Sequence, residues 1–234
     1  MLPRPFAELP SEMQNNSVYQ VHKLLCSKRT SLLVKRAFDL TASMALLTLL
    51  LPLMSAIAVI ILLDGEGGVL FRQKRKTAGY RTFVIYKFRT MRVERDGEKQ
   101  SAITLKDDKR ITRMGFVLRK SHLDELPQLV NVMVGDMSFV GPRPEILRYT
   151  NVCDAEIMPV FLMPAGITSP ASLLFSNEAV WLDTEESDRV YINLILPRKN
   201  YMNLLYVKKF SILNDIKTMF FTLINPFVKR KFVP

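Results

Sequence analysis

The 24 residues from 40 to 63, LTASMALLTLLLPLMSAIAVIILL, carry no charge. Nothing else in the chain restricts its fold as strongly, because roughly 20 apolar residues in helical form reach across the hydrocarbon core of a bilayer. The run is not a secretory signal peptide. It starts well inside the chain, follows a polar leader and ends without a small-residue cleavage pattern. Pro52 sits at its centre, where the missing N–H and a clash with the preceding turn kink or break a helix. Each half then has about 12 residues, roughly 18 Å of helix, enough to reach mid-bilayer and return. The flanks point the same way. Lys23, Lys28, Arg29, Lys35 and Arg36 precede the run, and Arg72, Lys74, Arg75, Lys76 and Arg81 follow it. A spanning helix concentrates positive charge on its cytoplasmic side. Three readings stay open: a re-entrant helix broken at Pro52, which these features favour, a single spanning anchor, and a buried core helix.

A chain of 234 residues builds one good core, so one main domain is expected beside the apolar helix. The net charge of +11 calls for an anionic partner: nucleic acid, an acidic membrane surface or a phosphorylated substrate. Cys26 and Cys153 form neither a metal spacing nor a disulfide framework, which fits a reducing cytoplasm. With only His22 and His122, a multi-histidine metal site is excluded.

The expected fold is α+β, mainly helical, in three parts. Residues 1–30 read as a loose, proline-rich leader with a short helix around residues 18–26. Residues 31–64 form the membrane helix, with Lys35 and Arg36 at headgroup level, and residues 65–234 the soluble domain. There, VLFRQKR (69–75) and TFVIYKFRTM (82–91) flank a Gly79 turn and predict a β-hairpin whose exposed face carries Arg72, Lys74, Lys87 and Arg89. Residues 92–109 read as a charged loop. A helix is expected from Glu145 to about residue 158, a turn at Pro164-Ala165-Gly166, a helical stretch over 177–196, and a long amphipathic helix over 201–224. That last helix either packs on the domain, the more common fate, or lies on the membrane surface.

The chemistry concentrates in residues 119–145, RKSHLDELPQLVNVMVGDMSFVGPRPE. Ser121-His122-Leu123-Asp124 fits a capping box that starts a helix with an apolar face of Leu126, Leu129, Val130 and Met133. On that reading Asp124 and Glu125 merely complement the helix dipole. It leaves Pro127 inside a helix, where proline is unfavourable, and leaves the stiff Gly141-Pro142-Arg143-Pro144 segment without a reason. Adjacent carboxylates bracketed by Arg119, Lys120 and Arg143 suit an anionic phosphate substrate: the cations hold a diphosphate, and a carboxylate binds Mg²⁺ or attacks phosphorus.

These residues carry a resemblance. LRKSHLDELPQLVNVMVGDMSFVGPRPE resembles the core of the bacterial sugar transferases, the monotopic phosphoglycosyl transferases. KRAFDL before the apolar run, FRQKR and YKFRTM in the hairpin, DDKRITRMGFVLRK before the motif and PAGITSPAS after it extend the likeness from about Lys35 into the C-terminal helices. The resemblance implies transfer of a sugar 1-phosphate from a UDP-sugar to a polyprenyl phosphate such as undecaprenyl phosphate, with release of UMP. This is the membrane-committing first step of polysaccharide or glycoconjugate assembly. It further implies Mg²⁺, a ping-pong route through a covalent aspartyl phosphosugar, and a monotopic enzyme on the cytoplasmic face of the bacterial inner membrane.

In this chain the family's Asp-Glu dyad falls on Asp124 and Glu125, which are therefore the expected catalytic and metal-binding residues. Arg119, Arg143, Lys87 and Arg89 become candidate phosphate contacts, and Pro52 the break of the re-entrant helix. The expected partners are the donor, the lipid acceptor and membrane lipids. A homodimer is compatible with the sequence, and no nucleic-acid reading motif accompanies the charge. Leu51 replaces the serine common before the helix-breaking proline, His122 a small hydroxyl residue and Lys109 a proline. None of these departures touches the dyad.

Overall fold

A computed structural model describes residues 2–64, 67–92, 108, 110–150, 154–175 and 187–224. The expected loop over 92–109 and the first part of the stretch 177–196 lie almost wholly outside these residues, as does Cys153. The described residues are mostly helical, with two small sheets among them.

The leader takes part in the core. Two short 3-10 turns (Phe6–Glu8 and Ser11–Met13) lead into α1 (Asn16–Ser27), which starts where the Asn15 side chain accepts the Val18 N–H at 2.9 Å. Leu9, Met13, Val18, Val21 and Leu25 are buried in the main cluster with Val140, Met163, Tyr206 and Phe210. Buried side chains of this size contribute about 1.5–3 kcal/mol each, so this segment is not the loose tail its prolines suggested.

The apolar run lies in α2 (Arg29–Leu63), one continuous helix that runs through Pro52 instead of breaking there, since a proline removes one rung of the helical ladder and can be absorbed as a kink. Its first half is tied to the domain by polar contacts. Lys35, only 5% exposed, pairs with Asp215 at 2.5 Å. Arg36 donates to the carbonyls of Val132 and Met133, and Asp39 accepts the Phe139 N–H. Lys35 and Arg36 therefore grip protein rather than lipid headgroups. Further along, Ile57 and Ile61 are buried with Phe88 and Leu118, and Arg89 donates to the Ile61 carbonyl at 3.1 Å. From residue 44 to residue 56 no side chain is buried.

The hairpin forms as expected: β1 (Leu70–Thr77) pairs antiparallel with β2 (Arg81–Phe88). Its faces differ from the expectation. Register places Lys87 opposite Phe71 and Ile85 opposite Gln73, and facing partners share a side of the sheet. Lys87 thus lies on the side of buried Phe83 and Ile85, away from exposed Arg72 and Lys74. The period of two puts Phe83, Ile85 and Lys87 on one face of β2.

Beyond the hairpin come α3 (Arg113–Ser121), α4 (Gln128–Val134), β3 (Met137–Val140), α5 (Leu147–Thr150), β4 (Ala165–Thr168), α6 (Pro170–Leu174), α7 (Ser187–Val190), α8 (Leu196–Lys208) and α9 (Ile212–Ile224). Of the helix expected from Glu145 to residue 158, the described residues form α5 and, after a turn at 155–157, the start of a 3-10 segment at Met158–Leu162. The expected turn at 164–166 is the start of β4, paired in parallel with β3. That pairing needs glycine, since a Cβ on Gly166 would fall 2.2 Å from the Gly141 nitrogen. The single helix expected over 201–224 breaks between α8 and α9 around buried Phe210. α9 then buries Asp215 and Thr218 while exposing Leu213, Ile216, Phe220 and Leu223.

Candidate active site

The Asp-Glu pair sits on a 3-10 turn, Leu123–Glu125, between α3 and α4. The capping-box reading is overturned. Ser121 is the last residue of α3, and its hydroxyl donates back to the Val117 carbonyl at 2.8 Å. His122 takes a left-handed conformation (φ 56°), and its N–H closes α3 onto the carbonyls of Leu118 and Arg119. Pro127 occupies the N-cap of α4 rather than its interior, so its missing N–H leaves no gap in a helical ladder. Leu123 and Leu126, on either side of the pair, pack on the cluster that includes Ile57 and Ile61 of α2. The two carboxylates are therefore anchored against the second half of the apolar helix.

Cations come from three directions. Lys87 of β2 pairs with Glu125 at 2.6 Å. Arg119 donates to the Thr90 hydroxyl at 2.8 Å and feels the charge of Asp124. Its helix is brought close by Gly115, where a Cβ would lie 2.0 Å from the Thr90 carbonyl oxygen. Arg143 follows β3; its N–H donates to Asn203 and its guanidinium to Ser172, both at 3.2 Å, and its charge reaches Glu125. Arg89 is turned toward the α2 carbonyl of Ile61, and Lys120 is exposed. Gln128 is buried.

The environment drives the two carboxylates apart. Burial pushes the Asp124 carboxyl above its ordinary range and Glu125 adds to this, while Lys87, Arg119 and His122 only partly offset it. Burial also acts to raise Glu125, but Lys87, by charge and hydrogen bond, together with Arg143 and His122, outweighs it and holds that carboxyl low. Neighbouring acids with opposed shifts are a mark of a reactive site. No cluster of three or more His, Cys, Asp or Glu occurs among the described residues. Two adjacent carboxylates still suit Mg²⁺, which commonly takes one or two protein carboxylates and completes its shell with substrate phosphate and water.

The sequence reading named the dyad and its cations but missed Thr90, Ser172 and Asn203, which hold two of them. It also missed Asn131, whose side chain joins α4 to β2 through the Tyr86 N–H and the Val84 carbonyl. Lone Thr, Ser and Asn residues carry no motif that would have marked them.

Residues 30–229 match the family described as bacterial sugar transferase. The chain belongs to that family. This bacterial sugar transferase is 34% identical over 206 residues to an exopolysaccharide production protein of Rhizobium leguminosarum bv. phaseoli, covering 86% of this chain and 98% of that protein. It is 38% identical over 194 residues to the UDP-N-acetylgalactosamine-undecaprenyl-phosphate N-acetylgalactosaminephosphotransferase of Aeromonas hydrophila, 81% of this chain and 43% of that one. It is 32% identical over 202 residues to the UDP-glucose:undecaprenyl-phosphate glucose-1-phosphate transferase of Escherichia coli (strain K12), 85% of this chain and 41% of the relative. The transferase thus spans nearly all of the first relative and less than half the length of the other two.

Proposed function

We propose that this chain transfers a sugar 1-phosphate from a UDP-sugar to a polyprenyl phosphate, such as undecaprenyl phosphate, at the cytoplasmic face of a bacterial membrane. The observation that carries this reading is the carboxylate pair, flanked by Lys87, Arg119 and Arg143 and anchored on the apolar helix. A soluble anionic donor and a lipid-borne acceptor need a site with both properties. The names of the relatives agree with the reaction class.

In the first half-reaction an Asp124 carboxylate oxygen attacks the β-phosphorus of the donor. An aspartyl-oxygen-to-phosphorus bond forms, the bond from that phosphorus to the bridging oxygen breaks, and UMP leaves with that oxygen. In the second, a phosphate oxygen of the polyprenyl phosphate attacks the same phosphorus, giving the lipid-linked diphosphosugar and restoring the Asp124 carboxylate. Arg119 and Arg143 offset diphosphate charge and orient it for in-line displacement. Glu125, kept ionised by Lys87, repels the Asp124 charge and so favours its consumption in the attack. Mg²⁺ bound by Asp124 and Glu125 would supply further positive charge to the leaving diphosphate.

The same reading makes α2 a re-entrant helix. Both of its halves pack on one domain, and Pro52, inside the continuous helix, is where a bend would turn it back. Only the stretch 44–56 lacks buried side chains, and at helical rise that is roughly 20 Å. The hydrocarbon core is about 30 Å thick, so the free length dips into the bilayer rather than crossing it. The exposed apolar stripe of α9, Leu213, Ile216, Phe220 and Leu223, suits the adjoining lipid interface.

The test is UMP release by the purified chain in lipid nanodiscs, across a panel of UDP-sugars, with and without undecaprenyl phosphate. Sustained UMP release with at least one donor, dependent on the acceptor, is expected. Absence of UMP with every donor, alongside salt-sensitive DNA binding, would contradict the reading.

A further inference from the structure

Arg143 is held by a second layer of buried polar groups drawn from the C-terminal helices. Asn203, 1% exposed, accepts the Arg143 N–H at 3.2 Å. One turn earlier on α8, Lys199, also 1% exposed, lies with its Nζ 3.9 Å from Glu145 Oε1 and donates to the Tyr191 hydroxyl at 3.3 Å. That hydroxyl in turn donates to Glu145 Oε2 at 2.8 Å. From the opposite side Arg75 donates to the Pro144 carbonyl at 3.0 Å, and its backbone bridges Ile146. Burial lowers the Arg75 guanidinium to about 10 while Glu145 works against the drop. The short segment carrying Arg143 is thus gripped from β1 on one side and from the C-terminal helices on the other.

The helix geometry behind this grip is unusual. Tyr191–Ile195 is a π-turn running directly into α8. On a regular α-helix Tyr191 and Lys199, eight positions apart, would be offset by about 80° around the axis. One residue inserted by a π-turn cuts this to about 20°, and Asn203 falls within a similar angle on the other side. The insertion therefore brings Tyr191, Lys199 and Asn203 into one polar stripe facing residues 143–145. Regular helix and apolar side chains would hold the same contact without burying charge, and buried ion pairs are often matched or exceeded by apolar replacements. π-turns also concentrate at functional sites.

We propose that Tyr191, Lys199 and Asn203 are positioning residues that hold Arg143 in register for the donor's diphosphate, the π-turn setting their common face. This rests on the reaction proposed above. Tyr191→Phe removes one hydroxyl and little volume, so the fold is retained. It is expected to raise the KM for the UDP-sugar, and the Kd for UDP by calorimetry, about tenfold, the scale of a hydrogen bond to a charged group. The acceptor KM stays close to the parent value, and the fall in Tm from the lost Glu145 hydrogen bond accompanies the loss of donor affinity rather than replacing it. In an Arg143→Lys background the same change should add nothing, because its effect passes through Arg143. Asn203→Asp keeps the accepting oxygen and should retain donor affinity that Asn203→Ala loses. Independent, multiplying effects of Tyr191→Phe and Arg143→Lys, or a fall in Tm with donor affinity unchanged, would overturn the proposal. A parent protein that binds UDP but releases no UMP would instead overturn the reaction and leave the binding test intact.

Discussion

Asp124→Asn is expected to abolish UMP release, by about 10³-fold or more, the scale on which loss of a nucleophile acts, while making the protein more stable. The two effects share a cause. Burial raises the Asp124 carboxyl, with Glu125 adding to the shift, so at neutral pH its ionised form is held at a net unfavourable position. Because its folded value lies above the unfolded one, this group lowers stability as pH rises from the ordinary aspartate range through the elevated value. A neutral amide of the same shape removes that strain. In a domain of this size each 1 kcal/mol moves the Tm by about 2–4 °C, so a rise is measurable by thermal unfolding in detergent. Activity has the opposite dependence. In the proposed mechanism the nucleophile must be ionised, so kcat/KM for the donor is expected to fall on acidification through the elevated value, at higher pH than an ordinary aspartate would give. An Asp124→Asn protein with full activity, or with a lowered Tm, would contradict this picture of the site. Sites tuned for chemistry commonly sacrifice stability in this manner.

Lys35→Met is expected to destabilise the fold by about 3–5 kcal/mol, because it leaves a buried carboxylate without its cation. Lys35 and Asp215 are both nearly inaccessible, and their 2.5 Å contact joins the start of the apolar helix to α9. Burial already raises the Asp215 carboxyl, with Lys35 opposing the shift, so removal of the lysine raises it further. The Tyr206 hydroxyl still donates to Asp215 at 2.9 Å, a neutral partner for a charge. Against a typical total of about 5–15 kcal/mol, such a loss is severe. Replacing both partners by apolar residues, Lys35→Met with Asp215→Leu, should recover most of it. Chemical denaturation of the three proteins checks this. A single mutant within about 1 kcal/mol of the parent would show that the pair behaves like a surface ion pair, and that the helix is not locked to the domain through it.

Much of this was legible in residue order, for reasons that differ from place to place. The apolar run announces itself by length, and the hairpin by two β-rich runs around Gly79, because both signals are local. The dyad and the cations at Arg119 and Arg143 lie within one short motif, so their nearness needed no fold. Local pattern misled at Ser121. A hydroxyl residue three positions ahead of a carboxylate marks a helix start, but nothing in the letters shows that His122 adopts a left-handed conformation and closes the preceding helix instead. β3 and β4 were missed because four-residue strands flanked by glycine and proline read as turns, and their parallel pairing joins segments far apart in the chain. Lys87 falls on the opposite face from Arg72 and Lys74 because strand register decides it, and that register is visible only once the pairing is known. The stripe of Tyr191, Lys199 and Asn203 was invisible for a further reason: its alignment depends on one π-turn that no composition rule signals.

The central claim is that Asp124 becomes covalently phosphorylated by the donor. Incubation with a UDP-sugar labelled with ³²P at the β-phosphorus, in the absence of acceptor, tests it most directly. Label is expected on one peptide, mapping to Asp124, absent in Asp124→Asn, and chased into the lipid fraction when undecaprenyl phosphate is added. Label passing to lipid with no protein-bound intermediate, or an adduct mapping to Glu125, would contradict the account.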